Sequence, residues 1–297
     1  MSMPTSHPEP SRESIPDGEH KPLAARPVTV GIDGNQPAAL SLAAEFARAL
    51  EAPLRVVHAY WTSVGSADLY LGREAKDALR DAALRVLDDA REVLGDDAPG
   101  DIDYVLRLAP AVRVLEAESK DAAVVVVGTD DGGWFDRHTG HGVARRIVMH
   151  SRCPVVVAPE RPAPDSGEIV AALDIDSVSQ DALRFAAEMS HRLGVSLRVV
   201  SVVQPGLTGP GWEQQHARLD RAVHGWRQRF SSVDIRTQIL ASDVHSALVR
   251  VASEARLLVV GRPVEPWLAP LFSRPVATGL LRAAACPVVV VPVERRR

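Results

Sequence analysis

Aromatic side chains are scarce. Phe, Trp and Tyr together make 4% of the 297 residues, while hydrophobic residues in all make 46%. Any core must therefore be aliphatic, built from Val, Leu, Ile and Ala. Cysteine is nearly absent: Cys153 and Cys286 are the two, each followed by Pro and a Val run. Two thiols make no disulfide framework, and each is read as a small apolar residue at a strand entry. No apolar run approaches the ~18 residues of a membrane-spanning helix, so no membrane association is expected. A basic excess is missing too. Lys and Arg number 34 against 38 Asp and Glu, a formal charge of −4. A general nucleic-acid binder needs a net basic face to displace counterions, so nucleic acid is not an expected partner. Residues 1–27, rich in Pro, Ser, Glu and His, lack the basic-then-apolar order of a signal peptide and read as a disordered tail of a cytoplasmic protein. A Ser/His/Asp elbow, a phosphate loop with its Lys and a paired-carboxylate site are all missing, so no enzymatic activity is expected.

What is present is a duplication. Four features recur in the same order. An apolar strand ends in Asp, "VTVGID" to Asp33 and "IVAALD" to Asp174. An amphipathic segment then leads into a Val-rich strand, "LRVVHAY" and "LRVVSVV". Next comes a strand ending in Gly, "VVVVGT" with Gly128 and "LLVVGR" with Gly261. Last is "RCPVVVAPE" against "ACPVVVVPVE". Asp33 and Asp174 lie 141 residues apart, Val57 and Val200 143, and Gly128 and Gly261 133, as do Cys153 and Cys286. The offset falls by ten between the second and fourth strands, so the first copy carries a longer insert there. Self-similarity at this period marks a repeated domain.

Strands and helices alternate within each copy. Continuous Val and Leu runs are buried on both faces, which implies a parallel sheet covered by helices. The pattern predicts strands near 28–33, 54–59, 102–107, 123–128 and 154–158, with helices near 38–50, 73–94, 110–118 and 141–150. The second copy repeats this with strands near 168–173, 196–203, 233–240, 256–261 and 287–291. Its helices fall near 179–193, 212–230, 244–253 and 274–284. Pro37 suits a first helical turn, Asp176 and Ser177 offer caps to the matching helix, and Gly194 suits its end. The Pro-rich stretch 161–167 is a linker by composition. The domains are thus 28–160 and 168–293.

Taken as an ordered set that occurs twice, the Asp ending the first strand, "LRVVHA", "APAVRVLEA", the Val run ending in Gly and the closing "CPVVV" resemble the universal stress protein family. The resemblance implies two Rossmann-like, doubly wound α/β domains. Each has a five-stranded parallel sheet in the order 3-2-1-4-5 with helices on both faces. It also implies self-association through the last strands, here between the two halves as an internal pseudo-dimer. The implied ligand is an adenine nucleotide, ATP, held where the strand order reverses. The implied role is non-enzymatic, in stress response. A nucleotide-free protein-interaction module with vestigial clefts stays open beside it.

The nucleotide-binding members carry, after the fourth strand, Gly, two residues, Gly, nine residues, Gly, then Ser or Thr. Glycines let backbone N–H groups approach phosphates, and the next helix offers its positive end. Counted back from Cys153, Gly128 matches the first Gly, Asp131 stands at the second, His141 at the third and Gly142 at the Ser/Thr position. The loop still contains Gly132, Gly133, Gly140 and Gly142, and a shifted register would bring Gly140 and Gly142 to a phosphate. By resemblance the first-copy site is Asp33, Val57, Gly128, Gly140, Gly142 and Val143. The second-copy equivalents are Asp174, Gly261 and Val276. They read as degenerate, because Val264, Arg274 and Pro275 stand at the other three positions and Pro has no N–H to offer. Arg262 and Arg274 could attract an anion. His138, His141 and His150 match no closed zinc pattern, so no metal is predicted. His58 is read as a strand-end residue satisfied by backbone. The insert between Trp61 and Gly72 is read as a lid.

Overall fold

The computed structural model describes residues 26–34, 36–61, 72–95, 99–129, 142–160, 167–174, 180–203, 205–206, 208–262, 280 and 283–292. The first half runs β1 (Val28–Ile32), α1 (Pro37–Leu50), β2 (Leu54–Tyr60), α2 (Arg73–Leu94), β3 (Ile102–Leu108), α3 (Ala111–Glu118), β4 (Val124–Gly128), α4 (Val143–His150) and β5 (Val155–Ala158). The second half runs β6 (Ile169–Ala172), α5 (Gln180–Leu193), β7 (Leu197–Val203), α6 (Pro210–Arg229), β8 (Ile235–Ala241), α7 (Val244–Ala252), β9 (Leu257–Gly261) and β10 (Val288–Val291). Each strand window read from the sequence holds a strand. The helix expected near 274–284 lies mostly outside the described residues, as do the caps Asp176 and Ser177, nearly all of the tail and residues 161–166 of the linker.

The strands form one ten-stranded sheet in the order β3-β2-β1-β4-β5-β10-β9-β6-β7-β8. Within each half every pairing is parallel and the order is the expected 3-2-1-4-5. The halves meet through β5 and β10, which pair antiparallel with Val156 opposite Val289. Those two residues are 133 apart, the same spacing as the two cysteines, so equivalent residues face each other. Val155 pairs with Val290 and Val157 with Val288, which is the self-complementary register of a twofold interface.

Two apolar layers sandwich this sheet. One packs α1, α2, α5 and α6 on one face and runs unbroken across the join, through Val156, Ala158, Val289 and Val291. The other packs α3, α4, α7 and Leu280 on the opposite face. Alternate strand residues serve the two layers: Val124 and Val126 one, Val125 and Val127 the other. That alternation explains why the strands read as continuous Val runs. Polar contacts add to the join on the α1 side. Arg256 Nη2 lies 2.6 Å from Glu45 Oε1, and Arg192 Nη1 donates to the Ala49 carbonyl at 3.1 Å.

Helix boundaries follow local chemistry. Pro37 opens α1, where no intrahelical N–H is needed. Gly194 follows α5 with φ +65°, the left-handed turn that ends a helix. At the equivalent place after α1 the residue is Glu51, with φ 51° and ψ 41°. A side chain in that region costs roughly 1–2 kcal/mol.

Candidate crevice at the β1–β4 switch point

In an open parallel sheet, chains leaving adjacent strands toward opposite faces create a crevice beyond the carboxyl ends. In the first half that point lies between β1 and β4, which pair from Val28–Val124 to Gly31–Val127. Asp33 follows β1 and is exposed, and Gly128 ends β4 beside it. The β1 end is tied to its other neighbour by His58, buried at 7% exposure, whose Nδ1 donates to the Ile32 carbonyl at 2.8 Å. This is the backbone-satisfied role read for His58. Gly31 meets a different demand: a Cβ there would lie 2.8 Å from Leu115 Cδ1, so its smallness lets α3 approach the sheet.

Gly128 faces a side chain that sequence reasoning did not select. A Cβ on Gly128 would stand 2.8 Å from Gln36 Nε2. Gln36 is the N-cap residue of α1, yet its side chain makes no cap hydrogen bond. It lies instead over Gly128, and its Oε1 is buried without a hydrogen-bond partner. Thr129 Oγ1, one residue past Gly128, is buried and unpartnered as well. A buried polar atom left unsatisfied costs about 1–3 kcal/mol, so an unpartnered oxygen over Gly128 and another on the next residue mark a place suited to a polar ligand. The signal available in the sequence was Gln36 itself. Caps are normally Ser, Thr, Asp or Asn, and a Gln directly before Pro37 has no capping reason to be there.

The other residues read from the sequence fall at different distances from this crevice. Val57 is 1% exposed and packs with Val105 and Val114 between β2, β3 and α3, so it is a core residue. Gly142 is the N-cap of α4 with no side-chain cap, and Val143 begins that helix. Gly140, Asp131, His138 and His141 lie outside the described residues, as does the segment 62–71 read as a lid. Among the described residues no three His, Cys, Asp or Glu side chains gather as a metal site.

In the second half Asp174 follows β6 and is partly buried, and Gly261 ends β9. Val276, Val264, Arg274 and Pro275 lie outside the described residues. Arg262 occupies the position of Thr129. It is not a free anion ligand. Its Nη1 lies 2.8 Å from the carbonyl oxygen of Ser151, 3.2 Å from that of Met149 and 3.4 Å from that of Val148, all at the end of α4 in the first half. The matching backbone bonds are kept: Thr129 N donates to the Ala158 carbonyl and Arg262 N to the Val291 carbonyl. Cys153 and Cys286 are free and buried at the two strand entries, and burial pushes each thiol up to about 12. Among the described residues no helix is long and apolar enough to cross a membrane.

Comparison with known proteins agrees with this architecture. The chain is 28% identical over 291 residues to Universal stress protein Rv2005c of Mycobacterium tuberculosis, covering 91% of this chain and 98% of that one. It is 27% identical over 283 residues to Universal stress protein Rv2623 of the same organism, covering 89% and 95%. The crystal structure of a universal stress protein from Archaeoglobus fulgidus superposes with a TM-score of 0.68 at 14% identity, over 92% of this chain and 98% of that chain, which shows the shared fold. The family model described as "Universal stress protein family" matches twice, over residues 25–159 and 167–292, so the chain belongs to the universal stress protein family and contains two tandem copies of its domain.

Proposed function

We propose that the first half binds an adenine nucleotide, ATP, at the β1–β4 crevice, and that the chain works as a non-enzymatic, cytoplasmic stress-response protein whose second half is a scaffold. The observation that carries this reading is the pair of unpartnered buried oxygens, Gln36 Oε1, which approaches Gly128, and Thr129 Oγ1, one residue past it. Gly128 has no Cβ to obstruct a close approach, and the three atoms nearest to where that Cβ would be all belong to the Gln36 side chain. Asp33 stands exposed after β1, and its carboxylate would accept a hydrogen bond from a nucleoside hydroxyl or amine. Gly142 caps α4 and Val143 begins it, an amino end that suits a phosphate, and Gly140 precedes them in the sequence.

Calorimetric titration of ATP into the purified full chain tests this. The expected outcome is saturable heat with a stoichiometry of one per chain and no phosphate release above background. Absence of heat at high-micromolar ATP would overturn the reading. One observation favours a second reading, an interaction module with closed clefts: the Gln36 carboxamide lies over the glycine that a phosphate would have to reach. That reading expects no heat, and a Gln36 side chain that stays on Gly128 whatever nucleotide is added.

A further inference from the structure

The carboxyl end of helix α4 is held by a residue of the second half. Its last carbonyls have no partner within the helix, as at any helix end. Those of Val148 and Met149, together with that of the C-cap Ser151, converge on one guanidinium nitrogen, Arg262 Nη1, at 3.4, 3.2 and 2.8 Å. The two protons on Nη1 are shared among three acceptors. A cation at the carboxyl end of a helix also meets the negative end of its dipole. Arg262 is half-buried, and burial pulls its pKa below the usual arginine value, with no neighbouring carboxylate contributing. It forms no ion pair among the described residues, so these carbonyls are what hold its charge. An arginine stays protonated even so.

The contact is one-sided. Position 262 corresponds to position 129, since the two strand-ending glycines are 133 residues apart. Thr129 is too short to reach across as Arg262 does, and its hydroxyl is left without a partner. The second half therefore grips a helix of the first, and Thr129 returns no such grip.

We propose that Arg262 is a positioning residue for the first-half crevice. It fixes the carboxyl end of α4 so that the opposite end, at Gly142 and Val143, is held in place for a ligand at the switch point. The helix has eight residues, about 12 Å at 1.5 Å per residue, short enough to move as one piece. Fixing one end thereby fixes the other. Clamping the neighbouring half would be the role of the degenerate copy. The clamp itself stands on the geometry alone; its consequence for ligand binding rests on the nucleotide reading above.

The test is the full-length Arg262→Met variant, with Arg262→Lys beside it. Two measurements are made: amide hydrogen exchange across α4 without ligand, and ATP affinity by calorimetry. Exchange over residues 147–151 is expected to rise about tenfold in Arg262→Met, with α2 unchanged, and ATP affinity to fall about tenfold, within the usual range of coupling between sites. Arg262→Lys keeps the charge but not the guanidinium plane and is expected to restore part of both; it also carries the test should Arg262→Met not fold. Unchanged exchange in α4 overturns the clamp whatever ATP does. Faster exchange with unchanged ATP affinity overturns the positioning role and leaves a structural contact. If the wild-type chain binds no ATP, the nucleotide reading and the positioning role fall together, while the exchange measurement still decides the clamp.

Discussion

The two halves share strand order, helix placement and buried cysteines, and they differ where the fourth strand of each ends. After β4 comes Thr129, whose hydroxyl is buried and unpartnered. After β9 comes Arg262, whose Nη1 is engaged by carbonyls at the end of α4. The backbone does the same thing at both places, each N–H donating to the end of the neighbouring fifth strand. At these strand ends the ladder is the same in both copies and the side chain differs. Thr129 has a buried hydroxyl without a partner, and Arg262 ties its half to the other. Symmetry is kept where burial enforces it and lost where the chain reaches the sheet's rim.

The strongest way to break the comparison is at the join, where the halves are most alike. Val156 and Val289 face each other across β5 and β10, and both are fully buried. A carboxylate at either place would be unpaired in an apolar layer. Val156→Asp and Val289→Asp are each expected to cost more than about 4 kcal/mol, the range reserved for buried unpaired charge. Urea denaturation followed by circular dichroism should show the same loss for both. A large loss for one and a small loss for the other would show that the join is not twofold in energy.

The cysteines sharpen the same point by pH. Cys153 and Cys286 have their thiols raised from 9.0 to about 12, burial being the first cause in both. The folded chain thus holds these protons more tightly than the unfolded chain. Their contribution is complete below pH 9, where both states are protonated, and is lost as pH rises from 9 towards 12, where the unfolded chain gives up protons first. A Cys153→Ala/Cys286→Ala variant should lose less stability than wild type over that window, and each single variant should account for a similar share. At pH 8 native thiols should resist alkylation until denaturant is added, since the thiolate is the reactive form.

Much of this was legible in the sequence, for physical reasons. Val runs such as 124–127 and 288–291 can only be doubly buried strands, and the repeat spacing placed their equivalents. Pro37 and Gly194 marked helix ends because their backbones have few alternatives. The crevice was legible in part: Asp33 and Gly128 do end adjacent strands, as read. Gln36 and the Arg262 clamp were not. Gln36 matters through its approach to a glycine 92 positions away, and no periodicity encodes that contact. Arg262 reads from the sequence as a cation that could attract an anion, but its partners belong to the other half, and only the β5–β10 register brings them together. Val57 was chosen for the site by resemblance. Its strand position is as expected, but its side chain is spent on Val105 and Val114.

Gln36 gives the next prediction. Gln36→Ala removes the unpartnered Oε1. ATP affinity is expected to fall by up to about tenfold, because a polar atom that the bound nucleotide would satisfy is lost. A rise in affinity would show that Gln36 covers the site rather than contacting the nucleotide.

The smallest expected effect compares the two helix ends that share the left-handed turn. Glu51 and Gly194 are 143 residues apart, the spacing of the second strands, with φ of 51° and 65°. Glycine reaches this region without steric cost but loses more conformational freedom on folding. Glutamate carries the steric cost of roughly 1–2 kcal/mol in the folded state. Since the steric term is the larger, Glu51→Gly should stabilise the chain by about 0.5–1 kcal/mol, and Gly194→Ala should destabilise it by about 1 kcal/mol. A Cβ at Gly194 meets nothing within 4 Å, so crowding adds nothing to that second figure. Both are read as shifts in urea midpoint at constant slope. The opposite sign for Glu51→Gly would mean that the Glu51 side chain contributes more at the α1 end than its backbone costs there, and the two copies would then have reached the same turn by different balances.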